Sequence, residues 1–245
     1  MIERLVVVGV GLIGGSFAAA LRRAGEVRGI VGLGRTRPAL ERARELGIID
    51  EACDDAGTAL RGADLVMLAM PVGATRAALE RIAPHLGEHT VVTDAGSTKS
   101  DVIAAARAAL GPAFPRFVPG HPIAGAEKSG AEAAFPDLFQ GRKAVLTPEP
   151  DTSPAALARV RALWEACGAD VRQMPAAAHD AVFAAVSHLP HLLAYALVHD
   201  VASRPEAATL FDYAASGFRD FTRIASSHPE MWRDICVANR VELGR

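Results

Sequence analysis

Apolar and polar positions fall into two patterns along this chain. Over the first 150 residues short runs of Val, Ile and Leu recur, at Leu5–Val8, Ile30–Leu33, Leu65–Ala69, Val91–Thr93, Arg116–Pro119 and Ala144–Thr147. Such runs, apolar at nearly every position, predict strands buried on both faces of a parallel sheet. Between them lie segments rich in Ala, Leu and Arg with helical spacing: Ser16–Ala24, Pro38–Leu46, Ala74–Ala83 and Lys99–Leu110. A further helix, Ser153–Cys167, and a strand, Asp170–Gln173, extend the same region. Strand–helix alternation of this kind predicts an α/β fold with a doubly wound sheet. After Pro175 the strand pattern stops, and helices are predicted over Ala176–Val201, Glu206–Asp212, Gly217–Ser227 and Pro229–Val241. Pro190 lies inside the first of them and predicts a kink, since it lacks a backbone donor and crowds the preceding turn. The expected organisation is a dinucleotide-binding domain over 1–174 and an all-α domain over 175–245. So small a helical half needs apolar cover, which predicts a homodimer built through it.

The glycines of the first strand–helix junction bring in chemistry. Residues 5–16 read LVVVGVGLIGGS, so Gly9, Gly11 and Gly14 form G-x-G-x-x-G between a strand and a helix. Gly9 serves the tight turn, Gly11 the approach of a pyrophosphate and Gly14 the packing of helix on strand. Leu12 and Ile13 open the helix, whose free N–H groups suit phosphate. An NAD site usually carries an acid at the end of the second strand. Here that position is Gly34, followed by Arg35, Thr36 and Arg37. Two guanidiniums and a hydroxyl suit a 2′-phosphate, so NADP is the expected cofactor and NAD the alternative.

Other candidates sit where apolar runs end. Pro71 follows LVMLAM, and Ser97 and Thr98 follow the strand ending at Asp94. These hydroxyls are candidate helix caps, and Ser97 also a nicotinamide neighbour. His121, in GHPIAGAEKSG, follows the next run and is held extended by Pro122. A neutral imidazole there suits proton abstraction from a hydroxyl as hydride leaves the same carbon. His188 and His191 lie three apart on a helix and share a face, without a third ligand at metal spacing. Arg219, Arg223 and Arg233 are candidates for a substrate carboxylate, with Asp220 and Asp234 as competing partners for the outer two.

Composition narrows the field. The 245 residues are 50% hydrophobic and carry a net charge of -2, which argues against a nucleic-acid binder. Cys53, Cys167 and Cys236 show no metal or disulfide spacing. Neither a leader peptide nor an apolar run long enough to span a bilayer is expected, which places the protein in the cytoplasm.

Taken together, GVGLIGGS, DLVMLAMPVGAT, TDAGSTKSDV, GHPIAGAEKSG, SHLPH and GFRDFTRIASSHPEMWRDI resemble the prephenate/arogenate dehydrogenases of tyrosine biosynthesis over almost the whole chain. The resemblance implies a Rossmann domain followed by a helical dimerisation domain. It implies oxidative decarboxylation of a cyclohexadienyl acid with hydride transfer to a nicotinamide cofactor. By position it makes His121 the catalytic base and Ser97 its neighbour at the substrate hydroxyl. It puts His191 in the substrate pocket, Arg223 on a substrate carboxylate, Glu127 and Asp180 near the pocket entrance, and Trp232 in its lining. Two departures stand out: the missing acid at Gly34, and an end at Arg245 where relatives continue through further helix. The competing readings are another two-domain NAD(P)-dependent reductase, of the β-hydroxyacid dehydrogenase or imine reductase type, and a non-catalytic NADP sensor.

Overall fold

The computed structural model describes residues 1–34, 36–125 and 128–245. Its elements run β1 (Ile2–Val8), α1 (Leu12–Arg23), β2 (Val27–Leu33), α2 (Arg37–Glu45), β3 (Glu51–Cys53), α3 (Ala56–Leu60), β4 (Leu65–Leu68), α4 (Thr75–Ile82), β5 (Val91–Asp94) and α5 (Ser100–Leu110). They continue with β6 (Phe117–Val118), β7 (Gly120–Pro122), β8 (Lys143–Leu146), α6 (Pro154–Ala166), β9 (Asp170–Gln173), α7 (Ala176–Phe183) and α8 (Leu189–Ala202). The last are α9 (Ala207–Asp212), α10 (Ser216–Thr222), α11 (Pro229–Ala238) and α12 (Arg240–Leu243).

Two compact units account for the chain, Met1–His179 and Asp180–Arg245. The first holds a six-stranded sheet in the order β3-β2-β1-β4-β5-β6, in which every pairing is parallel. This is the doubly wound order whose reversal beside β1 opens a ligand crevice at the carboxyl edge. Leu5, Val7, Leu65 and Met67 are fully buried between helical layers, which is why these strands read as unbroken apolar runs.

The structure corrects the expectation of one sheet. β7, β8 and β9 form a separate three-stranded sheet, β7-β8-β9, with β7 antiparallel to β8. His121 lies on this second sheet, opposite Val145. Phe17, Phe139 and Trp164 pack ring on ring, joining α1 and α6 across the core, with Phe17–Trp164 centroids 4.7 Å apart.

The run from Ala176 is helical to Ala202. Ala184–His188 is a π-helical turn directly before Leu189 and Pro190. The consequence of the proline is thus local widening: a ring without an N–H, one turn on, removes one α-helical bond and the backbone re-registers. This helix has 27 residues, its most apolar 18-residue stretch has a mean hydropathy of 1.6, and by length and composition it is long and apolar enough to cross a membrane. That corrects the expectation that no run reaches such a length. His188, His191 and His199 interrupt the run in sequence, while Ala and Leu dominate the average.

Candidate active site

The glycine turn has the geometry its sequence requires. Gly9 has a φ of 91°, and a Cβ on it would lie 2.7 Å from the Ala69 carbonyl oxygen. A side chain there would be both strained and obstructed. A Cβ on Gly14 would meet the Gly9 carbonyl oxygen at 2.4 Å and Val7 Cγ1 at 2.8 Å, so α1 sits directly on β1. At Gly11, the N-cap of α1, a Cβ would meet nothing within 4 Å. That open space, facing a 12-residue helix with no acid in its first turn, is where a pyrophosphate fits. Leu12 and Ile13 begin the helix and pack against the core. A cavity of about 370 Å³ continues past Gly9 and Val10 to Gly34, Thr36, Ala39 and Leu40. No carboxylate lines it among the described residues. These residues fit a dinucleotide.

Arg35 and Glu127 lie outside the described residues. Thr36 caps α2 with its backbone only. Arg37 is exposed and engaged with Glu41 at 2.7 Å. Pro71 is exposed at the carboxyl end of β4 and starts a short 3-10 turn.

At the end of β5 a buried ion pair organises the backbone. Lys99 Nζ lies 2.5 Å from Asp94 Oδ2 and donates to the Gly120 carbonyl at 2.6 Å. Asp94 in turn accepts from Gly96 N–H at 2.8 Å and from Gly120 N–H at 3.0 Å. Lys99 is completely buried and Asp94 nearly so. This clamp fixes both backbone polar groups of Gly120, the residue before His121, to the sheet edge. A Cβ at Gly120 would lie 2.9 Å from the Asp94 carbonyl oxygen, so only glycine allows the approach.

The clamp also corrects the capping expectation. Lys99, not Ser97 or Thr98, is the N-cap of α5, and it makes no side-chain cap bond. The chain turns inward at Lys99 to reach Asp94, which leaves Ser97 half-buried in the loop and Thr98 buried.

His121 is half-buried, and its Nδ1 is 2.8 Å from Nε2 of His179. The two rings meet edge to face, with centroids 5.1 Å apart, and His179 is fully buried in α7. Sequence reasoning passed over Asp94, Lys99 and His179. Lys99 had a signal in its position after a strand end, but its burial depends on a partner 21 residues away. His179 lies in an Ala-rich stretch that shows nothing of what it meets.

The helical unit gathers a second set. His191 stacks on Trp232, with centroids 3.5 Å apart and planes at 14°. Its Nδ1 donates to the Ser187 carbonyl at 2.8 Å, which leaves Nε2 as the acceptor nitrogen. Burial, opposed by that bond and aided by the nearby Arg223 charge, holds this imidazole below its ordinary pKa. His191 is therefore neutral near pH 7. Arg223 is exposed at the end of α10. Arg233 is taken by Asp234 at 2.7 Å, and Arg219 donates to the Ala214 carbonyl. His188 is buried and within 3.0 Å of Asn239, whose amide also donates to the Asp180 carbonyl, so it serves the packing of the unit. Asp180 is buried. No metal-binding cluster occurs among the described residues.

Comparisons with known proteins agree with this geometry. The nucleotide-binding domain of prephenate dehydrogenase matches residues 17–173, and the dimerisation domain of the same family matches 175–244. A cyclohexadienyl dehydrogenase of Zymomonas mobilis is 36% identical over 97% of this chain and 81% of its own length. A prephenate dehydrogenase of Bacillus subtilis is 38% identical over 98% of this chain and 65% of its own. The crystal structure of prephenate dehydrogenase from A. aeolicus, bound to hydroxyphenyl propionate and NAD+, superposes with a TM-score of 0.93. It shares 42% identity and is matched over 100% of this chain and 85% of its own. The chain belongs to the prephenate dehydrogenase family of NAD(P)-dependent oxidoreductases.

Proposed function

We propose that this chain oxidatively decarboxylates a cyclohexadienyl acid in tyrosine biosynthesis, converting prephenate to 4-hydroxyphenylpyruvate or arogenate to tyrosine. One observation carries the reading. The Gly9–Gly14 turn ends β1, and the Asp94–Lys99 clamp ties His121 to the end of β5, with only β4 between. Parallel strands put these ends on one edge, about 10 Å apart at ordinary strand spacing. A dinucleotide on the glycine turn and a base at His121 therefore share that edge.

Bound nicotinamide supplies the hydride acceptor. His121 takes the proton from the substrate C4 hydroxyl as hydride leaves C4. The ring carboxylate departs as carbon dioxide, its bonding electrons complete the aromatic ring, and the step is effectively irreversible. Ser97, at the end of β5, orients the hydroxyl. Arg223 binds a substrate carboxylate, and neutral His191, braced on Trp232, offers Nε2 to the pocket. Glu127, outside the described residues, keeps the role near the pocket entrance that the family resemblance implies. Gly9, Gly11, Leu12, Ile13 and Gly14 hold the pyrophosphate, with Pro71 beside the nicotinamide half.

For the nucleotide we favour NADP, with NAD as the alternative. The absence of a carboxylate among the described residues lining the cavity at Gly34 supports this, together with Thr36 in its wall and the arginines Arg35 and Arg37 on either side of Thr36 in the sequence. Residues 1–174 serve as the nucleotide domain, and residues 175–245 as the substrate and dimerisation domain of a cytoplasmic homodimer.

The test is a four-way assay of reduced-nicotinamide formation, with prephenate or arogenate and with NAD or NADP. Turnover with one of the acids is expected, fastest with NADP, and lost in His121→Asn. Cofactor binding without turnover in any combination would reject the reading, and strict NAD use would reject the assignment of Arg35–Arg37.

A further inference from the structure

The contact between His121 and His179 carries a consequence for the reaction. Their facing nitrogens are 2.8 Å apart, a hydrogen-bond distance, so a proton lies between them. Burying a charge costs far more than burying a dipole, and His179 is fully buried. Burial of His179 favours a resting pair of two neutral rings sharing one proton. The shared proton of such a neutral pair can be donated from either side, and the two tautomers have opposite consequences. If His179 Nε2 donates, His121 Nδ1 is the acceptor and the His121 proton sits on Nε2. That ring has no lone pair left to take a substrate proton. If His121 Nδ1 donates, Nε2 of His121 carries the lone pair, and His179 holds its own proton on Nδ1.

We propose that His179 is a positioning residue that fixes the reactive tautomer of His121 by accepting its Nδ1 proton. The proposal rests on His121 being the proton acceptor of the reaction. His179 touches neither substrate nor cofactor in this assignment. It acts through the ring beside it, as an orienting acceptor does for other catalytic imidazoles. It also stays in place to accept from the imidazolium once the substrate proton has arrived at Nε2. The Asp94–Lys99 clamp fixes the backbone before His121, but a backbone clamp leaves ring rotation and tautomer open. His179 constrains both, from a different element.

The test has a spectroscopic and a kinetic arm. Long-range 15N–1H spectra of histidine-labelled, unmodified protein report the tautomer directly. The expected result is a protonated Nδ1 and an unprotonated Nε2 on His121, assigned by its loss in His121→Asn. A protonated Nε2 on His121 would overturn the proposal even if turnover is normal. Loss of turnover with the expected tautomer present would instead count against the proposed reaction, so the two failures are separable. In the kinetic arm, His179→Leu removes the acceptor and should lower kcat at least tenfold while KM changes less than twofold. His179→Gln, whose amide oxygen can accept from Nδ1–H, should recover a substantial part of that loss. Equal losses in the Leu and Gln variants, or a kcat for His179→Leu within twofold of the parent, would reject the role. Should His179→Leu fail to fold, the tautomer and the Gln variant still decide.

Discussion

At the scale of single residues, the site depends on groups whose polarity is out of keeping with their burial. Lys99 is the clearest case. Its ammonium is enclosed against the Asp94 carboxylate and the Gly120 carbonyl, and Asp94 uses both oxygens on Lys99 and two backbone N–H groups. Such a pair earns its place by geometry, since desolvation offsets much of the Coulomb gain. Removing one member is a different matter, because the other remains buried without its counterion. Lys99→Met should cost about 3–5 kcal/mol of stability. It should also detach Gly120, so that kcat falls even where the variant stays folded. Chemical denaturation monitored by circular dichroism checks the first part, and kcat well below the folded fraction checks the second. A loss under about 1 kcal/mol would mean that the pair is wetter than its enclosure implies.

At the scale of elements, the junction of β1 and α1 shows how much the chain's pattern disclosed. Its glycine spacing, the strand before it and the helix after it were all legible, because the tight turn at Gly9 and the closeness of Gly14 to Gly9 and Val7 are demands made within a few residues of sequence. Gly14→Ala tests this. The new methyl would sit 2.4 Å from a backbone oxygen, which cannot rotate away, so α1 must lift from β1. Overpacking of this kind costs about 1–3 kcal/mol. Affinity for NAD(P), measured by fluorescence titration, should fall more than tenfold, while an Ala at Gly11, where a Cβ meets only open space in the free protein, should leave stability unchanged. Other elements were not legible. β3 and α3 span three and five residues, too short for a periodicity to show. β7 is Gly-His-Pro, which carries no strand signal and is extended because β8 pairs with it. The run Lys143–Leu146 reads like any buried parallel strand, and nothing local says that it belongs to a second sheet. The same reason hid His179: what identifies it is a ring 58 residues away.

At the scale of the whole molecule, the helical region leaves apolar surface that its own residues do not cover. Val182, Val186, Leu189, Leu192 and Leu193 follow one another along the helix, and Val186 and Leu193 are 66% and 50% exposed. Only 22% of the most apolar stretch of this helix is buried within the chain. Two explanations compete for such a surface, a lipid bilayer and a second copy of the chain. His188, His191, Asp180 and Asp200 on the same helix would each be costly in hydrocarbon, and the segment coincides with the family's dimerisation domain. A partner chain is the cover consistent with both facts. Val186→Glu with Leu193→Glu places two carboxylates from each protomer in that contact, where they would be desolvated and near like charges of the other copy. Sedimentation should report a dimer for the parent chain and a monomer for the double variant. NAD(P) affinity should persist in the variant, since the glycine turn and its cavity belong wholly to Met1–His179. A double variant that still sediments as a dimer would show that the partner covers another face.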